Sequence, residues 1–315
     1  MTKPLAEVRV FAPATVANVA VGFDILGFAL EQPGDQIVVR FAPAQKGLKI
    51  STITGTGEKR LPLDPEKNTA GFAALQLLRY LDRVDLGIEM EIHKQMPFSS
   101  GLGSSAASAA AGVFAVNELL GSPLKKLDLL RFAVEGEEIA DGAFHADNVA
   151  PSLLGGITFI RDNRSLDVHQ LPIPADLHAA VVYPFVEIRT KDARDALSKD
   201  TTLKTTITQT GNLGALLIGL YESDYGLIAR ALQDVLIEPQ RAHLIPGFYE
   251  VQEAALRAGA LGSSISGAGP SVFALCQGAA KAQAAAVAMQ ATFQRQGIAS
   301  HNYVSPINTR GAVRL

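Results

Sequence analysis

Residues Gln95–Asn117 run for 23 positions without a charge, and Gly, Ser and Ala dominate the stretch. Near its head stands Pro97-Phe-Ser-Ser-Gly101-Leu-Gly103-Ser104-Ser105-Ala106, between a strand-like segment and an alanine-rich helical one. Small residues let the backbone turn tightly and aim several N–H groups in one direction. The helix start adds partial positive charge, so phosphate is the natural guest. Neighbouring serine hydroxyls suit Mg²⁺, which takes oxygen donors together with bound phosphate. A bare turn and helix cap would account for such a run alone about as well. The dinucleotide fingerprint fits loosely, but no acidic residue follows on a second strand where the ribose contact is needed. The lysine-bearing phosphate loop is excluded, because the chain holds no Gly-Lys dipeptide.

The uncharged run is long enough to cross a bilayer, but its small residues transfer poorly into lipid. The uncharged stretch 10–23 is interrupted by Pro13 and Asn18, follows Glu7 and lacks leucine, so it does not read as an export signal. A soluble protein is expected. Lys+Arg number 28 against Asp+Glu 31, a formal charge of -3, which provides no polyanion-binding field and argues against nucleic-acid partners. The one cysteine, Cys276, allows no internal disulfide and no cysteine zinc site. A reducing cytoplasm is the expected compartment.

At 315 residues the chain exceeds what one core usually supports, so two domains are expected. Apolar runs bounded by Gly and Pro predict strands near Val8–Ala12, Asp35–Phe41, Leu48–Thr54 and Leu86–His93. Helical spacing predicts helices over 70–81, 104–120 and 127–140, followed by strands at 156–160 and 165–171. Pro172 and Pro174 mark a joint. Beyond it come a strand at 177–183, several helices between 193 and 258, strands at 261–266 and 272–276, a helix over 279–296 and a strand at 300–304. Allowing for extra helices, this is the β-α-β-β-α-β split pattern of ferredoxin-like folds. The class is α+β, with an N-terminal domain over 1–165 and a C-terminal one over 166–315.

Four further segments carry chemistry. Ser266-Gly267-Ala-Gly269-Pro-Ser271 joins two short strands and suits close backbone approach to a ligand, although a hairpin turn has the same composition. Glu137 lies on a helix, with His145 and Asp147 in a turn beyond it among small apolar neighbours. Asn18 and Asp24 stand in an otherwise apolar loop, where they either meet a polar small molecule or satisfy turn backbone. Arg194 and Arg241 offer guanidinium forks for carboxylate or phosphate. No His-Glu-x-x-His metal motif and no Gly-x-Ser-x-Gly elbow is present.

Taken together, these residues resemble the kinase superfamily that phosphorylates galactose, homoserine, mevalonate and phosphomevalonate (the GHMP kinases). Pro97–Ala107 resembles its phosphate loop, Ser266–Ser271 its C-terminal glycine motif, and Asn18–Asp24 its N-terminal substrate motif. Gly136-Glu137, His145-Ala-Asp147-Asn148-Val-Ala-Pro151, Thr190…Arg194 and Glu238-Pro-Gln-Arg241…Phe248 resemble more narrowly the homoserine kinase family. The N-terminal motif departs from the usual Asn-Leu-Gly-Pro-Gly-Phe-Asp, reading Asn18-Val-Ala-Val-Gly-Phe-Asp24. Ala268 also stands where serine is common.

The resemblance implies a ribosomal-protein-S5-like N-terminal half and a ferredoxin-like C-terminal half, with ATP between them. It implies ATP-dependent phosphorylation of the L-homoserine hydroxyl, a step of threonine biosynthesis, with Mg²⁺ as cofactor and a homodimer as assembly. ATP would meet Asn68, Pro97, Ser99, Ser100, Gly101, Leu102, Gly103, Ser104, Ser105, Gly267 and Gly269. Mg²⁺ would meet Ser105 and Glu137. Asn18, Asp24, His145, Asp147, Thr190, Arg194 and Arg241 would bind the amino acid. Among all these, Asp147, Glu137, Asn18 and Arg194 form the implied catalytic set. Two other readings remain open at this point: a kinase for another small alcohol, and an inactive member that binds nucleotide or amino acid as a regulator.

Overall fold

The computed structural model describes residues 6–57, 60–142 and 144–315. The first half contains β1 (Glu7–Ala17), β2 (Leu26–Phe41), β3 (Leu48–Thr54), α1 (Thr69–Tyr80), β4 (Ile88–His93), α2 (Ser104–Leu119), α3 (Leu130–Asp141), α4 (Val149–Leu154), β5 (Ile157–Asp162) and β6 (Asp167–Leu171). The second contains β7 (Leu177–Pro184), α5 (Thr190–Asp195), α6 (Leu203–Glu222), α7 (Tyr225–Ala231), α8 (Glu238–Arg241), α9 (Phe248–Arg257), β8 (Gly262–Ile265), β9 (Val272–Gln277), α10 (Ala279–Arg295), β10 (Ser300–Pro306) and β11 (Val313–Arg314). Helices and strands mix in both halves, as α+β requires. No helix among the described residues is long and apolar enough to cross a membrane.

The first sheet runs β11-β1-β2-β4-β3, with β5 on the other stretch of β2 and β6 beyond it. Strands β1 and β2 are longer than predicted. Their pairing register jumps between Pro13 and Thr15, so each continues past the proline that marks a strand end in sequence. One stretch of β2, Gln36–Phe41, pairs with β4, and the other, Leu26–Phe28, with β5. The expected division between residues 165 and 166 falls between β5 and β6, which pair with each other. The C-terminal β11 also returns to pair with β1. The four-stranded sheet β10-β7-β9-β8 begins at Leu177, past the two prolines, and has the ferredoxin-like order.

Helix α2 explains its own composition. All of its residues but Ser105, Phe114 and Glu118 are buried. A Cβ at Gly112 would lie 2.5 Å from the Ala70 carbonyl oxygen, so α1 crosses α2 almost at backbone contact. Side chains larger than alanine would push these helices apart.

The larger core is shared between the two sheets. It includes Phe28 and Leu30 of β2 together with Val181, Phe273 and Leu275 of β7 and β9. Phe28 and Phe273 meet edge-to-face at 6.0 Å between ring centroids. A common core couples the two halves. Phe273→Ala should cost about 3–5 kcal/mol, and calorimetry of wild type and variant should show one transition each. Two separated transitions would show that the halves fold independently.

Candidate active site

The two glycine loops are stitched together by polar bonds. Ser266 Oγ donates to the Gly101 carbonyl at 2.6 Å, and the Ser271 amide donates to the Ser100 carbonyl at 3.1 Å. The Gly267 amide donates to the Ala17 carbonyl at 3.2 Å, and the Thr15 amide to the Leu102 carbonyl at 3.0 Å. Gly101 has φ +77°, and a Cβ there would lie 2.4 Å from the Ser266 carbonyl oxygen. Only glycine fits both the torsion and the distance. The predicted facing of the two loops is therefore present.

A cavity of about 460 Å³ opens between them. Of the expected ATP residues, Asn68, Ser99, Ser100, Gly101, Gly103, Ser104, Ser105, Gly267 and Gly269 line it, and Glu137 lines it too. Pro97 and Leu102 are not among the lining residues. The Pro97 carbonyl accepts the Ser100 hydroxyl at 2.9 Å, and Leu102 is fully buried in the core. Both shape the loop from behind. Asn68 caps α1, its Oδ1 accepting from the Ala70 and Gly71 amides at 3.1 and 3.3 Å while Nδ2 donates to the Pro62 carbonyl at 3.0 Å. It therefore shapes this end of the cavity as a helix cap, beside Leu61, Pro62 and Ile139.

Helix α2 enters the cavity from Gly103 with no side-chain cap, so its first amides face the cavity without a side-chain partner. The Ser104 hydroxyl is buried without a hydrogen-bond partner among the described residues. Ser105 Oγ donates to Glu137 Oε1 at 2.6 Å. Uncapped amides, an orphan hydroxyl and a hydroxyl–carboxylate pair suit a triphosphate and a hard cation.

Sequence reasoning passed over Lys94. Its side chain is buried with Asp35, to which it donates, and it also donates to the Ser104 carbonyl and to Ser108 Oγ, each at 2.7 Å. Asp35 Oδ1 accepts the Gln95 amide at 2.9 Å as well. Lys94 lines the cavity beneath the first turn of α2. Its only signal in sequence is that it is the last charge before the uncharged run. Asn148 accepts from Thr15 Oγ1 at 2.8 Å and lines the same cavity, and its only signal in sequence is its place beside Asp147.

The expected amino-acid residues gather against the Gly267 wall. Asn18 Nδ2 and Arg241 Nη1 both donate to the Gly267 carbonyl, at 2.9 and 3.3 Å. Asn18 Oδ1 accepts the Asp24 amide at 3.0 Å. The Asp24 carboxylate lies 3.4 and 3.5 Å from the two terminal nitrogens of Arg194, and 3.7 Å from His145 Nε2. Both guanidiniums stack over Phe23, with Arg241 at 4.9 Å and Arg194 at 5.9 Å from its centroid. Burial, and then repulsion from Arg194, lowers the Arg241 pKa to about 10, while Asp24, Asp234 and Asp147 act the other way. Arg241 thus remains charged at neutral pH, and an added carboxylate would offset the repulsion between the two cations. Asp147 is buried and is not among the cavity-lining residues, but it precedes the lining Asn148 and its charge acts on Arg241. The Thr190 side chain lies outside the described residues.

The site's architecture recurs in known proteins. The model of the GHMP kinases N-terminal domain matches residues 68–156, and that of the GHMP kinases C-terminal domain matches residues 216–295. A homoserine kinase from Chlorobium phaeovibrioides is 50% identical over 98% of this chain and 99% of its own. The chain belongs to the homoserine kinase family. The crystal structure of homoserine kinase from Cytophaga hutchinsonii superposes with a TM-score of 0.96 at 49% identity, covering 100% of this chain and 99% of that one. Leishmania (L. major) mevalonate kinase shares the fold at a TM-score of 0.72 and 15% identity, over 98% and 99% of the two chains.

Within this family fold, the Asn18–Asp24 loop keeps its polar anchors at a cost in backbone strain. Asn18, Val19 and Ala20 take φ of +71°, +42° and +60° in succession. Left-handed torsions are disfavoured by about 1–2 kcal/mol for residues with a Cβ. The Asn18 bonds to Asp24 and Gly267 hold the turn in place. Ala20→Gly should therefore raise stability by about 0.5–1 kcal/mol, measured by denaturant unfolding; a loss of stability would show that the turn is not strained. By contrast, Gly101→Ala should remove ATP binding in calorimetry while the chain remains folded, and undiminished affinity would contradict the seam.

Proposed function

We propose that this chain transfers the γ-phosphoryl group of ATP to the side-chain hydroxyl of L-homoserine, giving ADP and O-phospho-L-homoserine for threonine synthesis. One observation carries the reading. A phosphate-type cavity and a cluster of one carboxylate and two guanidiniums share a wall at Gly267. A zwitterionic amino acid needs both signs of charge, whereas a neutral sugar needs neither. Mevalonate has a carboxylate but no amino group, so it leaves Asp24 without a cationic partner on the substrate.

In this reading Arg194 and Arg241 hold the substrate carboxylate, Asp24 and Asn18 meet the amino end, and His145 closes the side of the pocket beside Asp24. Asp147 accepts a hydrogen bond from the attacking hydroxyl. Phosphoryl transfer passes through a loose transition state, so early removal of the hydroxyl proton gains little and alignment is the larger contribution. The amides at the start of α2 face the phosphates, and Lys94, paired with Asp35, holds the first turn of α2 in place through the Ser104 carbonyl. Ser105 and Glu137 fit Mg²⁺, which takes few protein ligands and supplies, when bound, neutralisation of the β- and γ-phosphate charge. Among the described residues no cluster of three or more His, Cys, Asp or Glu is placed to hold a metal ion. The buried, lone Cys276 fits a reducing cytoplasm.

A coupled assay with MgATP tests the reading. ADP should form with L-homoserine and not with mevalonate or galactose. Equal turnover with mevalonate would favour a kinase of another alcohol, and no turnover with any alcohol would favour a regulator. Arg241→Leu should raise KM for L-homoserine by about 10- to 100-fold with a smaller effect on kcat. Glu137→Gln should lower kcat by about 100-fold or more. Unchanged kinetics in either variant removes that residue from its role.

A further inference from the structure

Asp24 and Asp147 come from segments far apart in the chain, and one neutral side chain joins their main chains. Asn163 follows β5 in the turn to β6. Its Nδ2 donates to the Asp24 carbonyl at 3.0 Å, and its Oδ1 accepts the Ala146 amide at 3.0 Å. Ala146 stands between His145 and Asp147. A single carboxamide therefore spans from the backbone that carries one acid to the backbone beside the other.

The local structure holds Asn163 in that place. β5 pairs with β2 at Leu26–Phe28, and the Ile160 amide donates to the Ile25 carbonyl at 2.8 Å, so the strand runs beside the Asp24 loop. Beyond it Asp162 closes the turn. Its Oδ1 accepts the Arg164 amide at 3.1 Å, and its Oδ2 accepts the Ser165 amide and hydroxyl at 3.3 and 2.6 Å. The turn is thus made by Asp162, and both polar ends of Asn163 go to the two site segments. Each segment has a further anchor of its own. Asn18 Nδ2 donates to the Gly267 carbonyl at 2.9 Å, and the Ala146 carbonyl accepts the Ala150 amide at 2.7 Å at the start of α4. Only a carboxamide both donates to a carbonyl and accepts from an amide here; a carboxylate lacks the donor, and an aliphatic side chain lacks both.

We infer that Asn163 is a positioning residue that sets the separation of Asp24 from Asp147, and so selects the carbon-chain length of the hydroxy amino acid. The inference rests on the proposed function, in which Asp24 meets the substrate's amino end and Asp147 its attacking hydroxyl. L-homoserine has one methylene more between its α-carbon and its hydroxyl than L-serine. One methylene in an apolar pocket is distinguished by only about 10- to 200-fold. Direct transfer adds a demand on reach, because a misplacement of about 1 Å costs about 100-fold in rate. With the two acids at a fixed separation, the shorter substrate cannot satisfy both while presenting its hydroxyl to the γ-phosphorus. With the separation released, that discrimination weakens.

Initial rates of the full chain on L-homoserine and on L-serine, at saturating MgATP, test this. Wild type should favour L-homoserine. Asn163→Ala should lower kcat for L-homoserine by about 10-fold or more, leave KM for ATP within about twofold, and narrow the kcat/KM preference over L-serine by about 10-fold. A side chain that only supported folding would reduce turnover of both substrates equally and leave their ratio unchanged. Asp167→Ala removes the Arg161–Asp167 pair across the same hairpin and spares both Asn163 bonds, so it should keep the wild-type ratio. Should Asn163→Ala fail to fold, Asn163→Asp, similar in size but without a donor for the Asp24 carbonyl, should show the narrowing instead. An unchanged ratio in the folded variant, or equal narrowing in Asp167→Ala, would overturn the inference and leave the proposed function standing. A wild type that does not phosphorylate L-homoserine would overturn the proposed function, and this inference with it.

Discussion

The seam between the two glycine loops fixes everything else in the site. Gly101 accepts from Ser266, Ser100 accepts from Ser271, and Gly267 donates to Ala17. These bonds join segments more than 160 residues apart in the chain, and they leave no room for side chains where the loops meet. The consequence is a cleft whose floor is backbone and the start of a helix. Phosphate suits that surface because the amides are fixed before it arrives, so little reorganisation is needed on binding.

Charge is distributed to match. Beneath the phosphate-type cavity Lys94 is buried and neutralised by Asp35, with its other donors given to Ser104 and Ser108, and Lys67 lines the cavity as a second cation. On the other side of the Gly267 wall two guanidiniums are held over Phe23 and faced by Asp24. Gly267 lies between them and accepts from both Asn18 and Arg241. Asn18 and Arg241 thus meet the wall of the phosphate-type cavity at a single carbonyl. A small shift of this loop would move Asn18, Arg241 and the cavity wall together.

Much of this was legible from residue order because it depends on local chemistry. β3 has the predicted limits, α1 and α2 lie within a residue of theirs, and the loops were identified by their glycines and serines. What escaped depends on distant partners or on a misleading local signal. Pro13 and Pro33 hid the length of β1 and β2, which continue through a register jump. Pro151 hid the short helix α4, although proline is tolerated in a first helical turn. Lys94 carries no local sign of its burial, because its partner Asp35 lies 59 residues away and on another strand. Two-residue β11 carries no periodicity at all, and its place beside β1 is set by tertiary contact. Asn68 lines the cavity, and its helix-capping role is visible only with the α1 backbone in view.

The central claim is that one cleft aligns an amino-acid hydroxyl with the terminal phosphate of ATP, so that transfer is direct. Its sharpest test is the stereochemical course of the reaction, using ATP made chiral at the γ-phosphorus by oxygen isotopes. A single in-line displacement on L-homoserine inverts the configuration at phosphorus, and inversion is what this geometry predicts. Retention would mean that a protein side chain carries the phosphoryl group in between, and it would contradict the account.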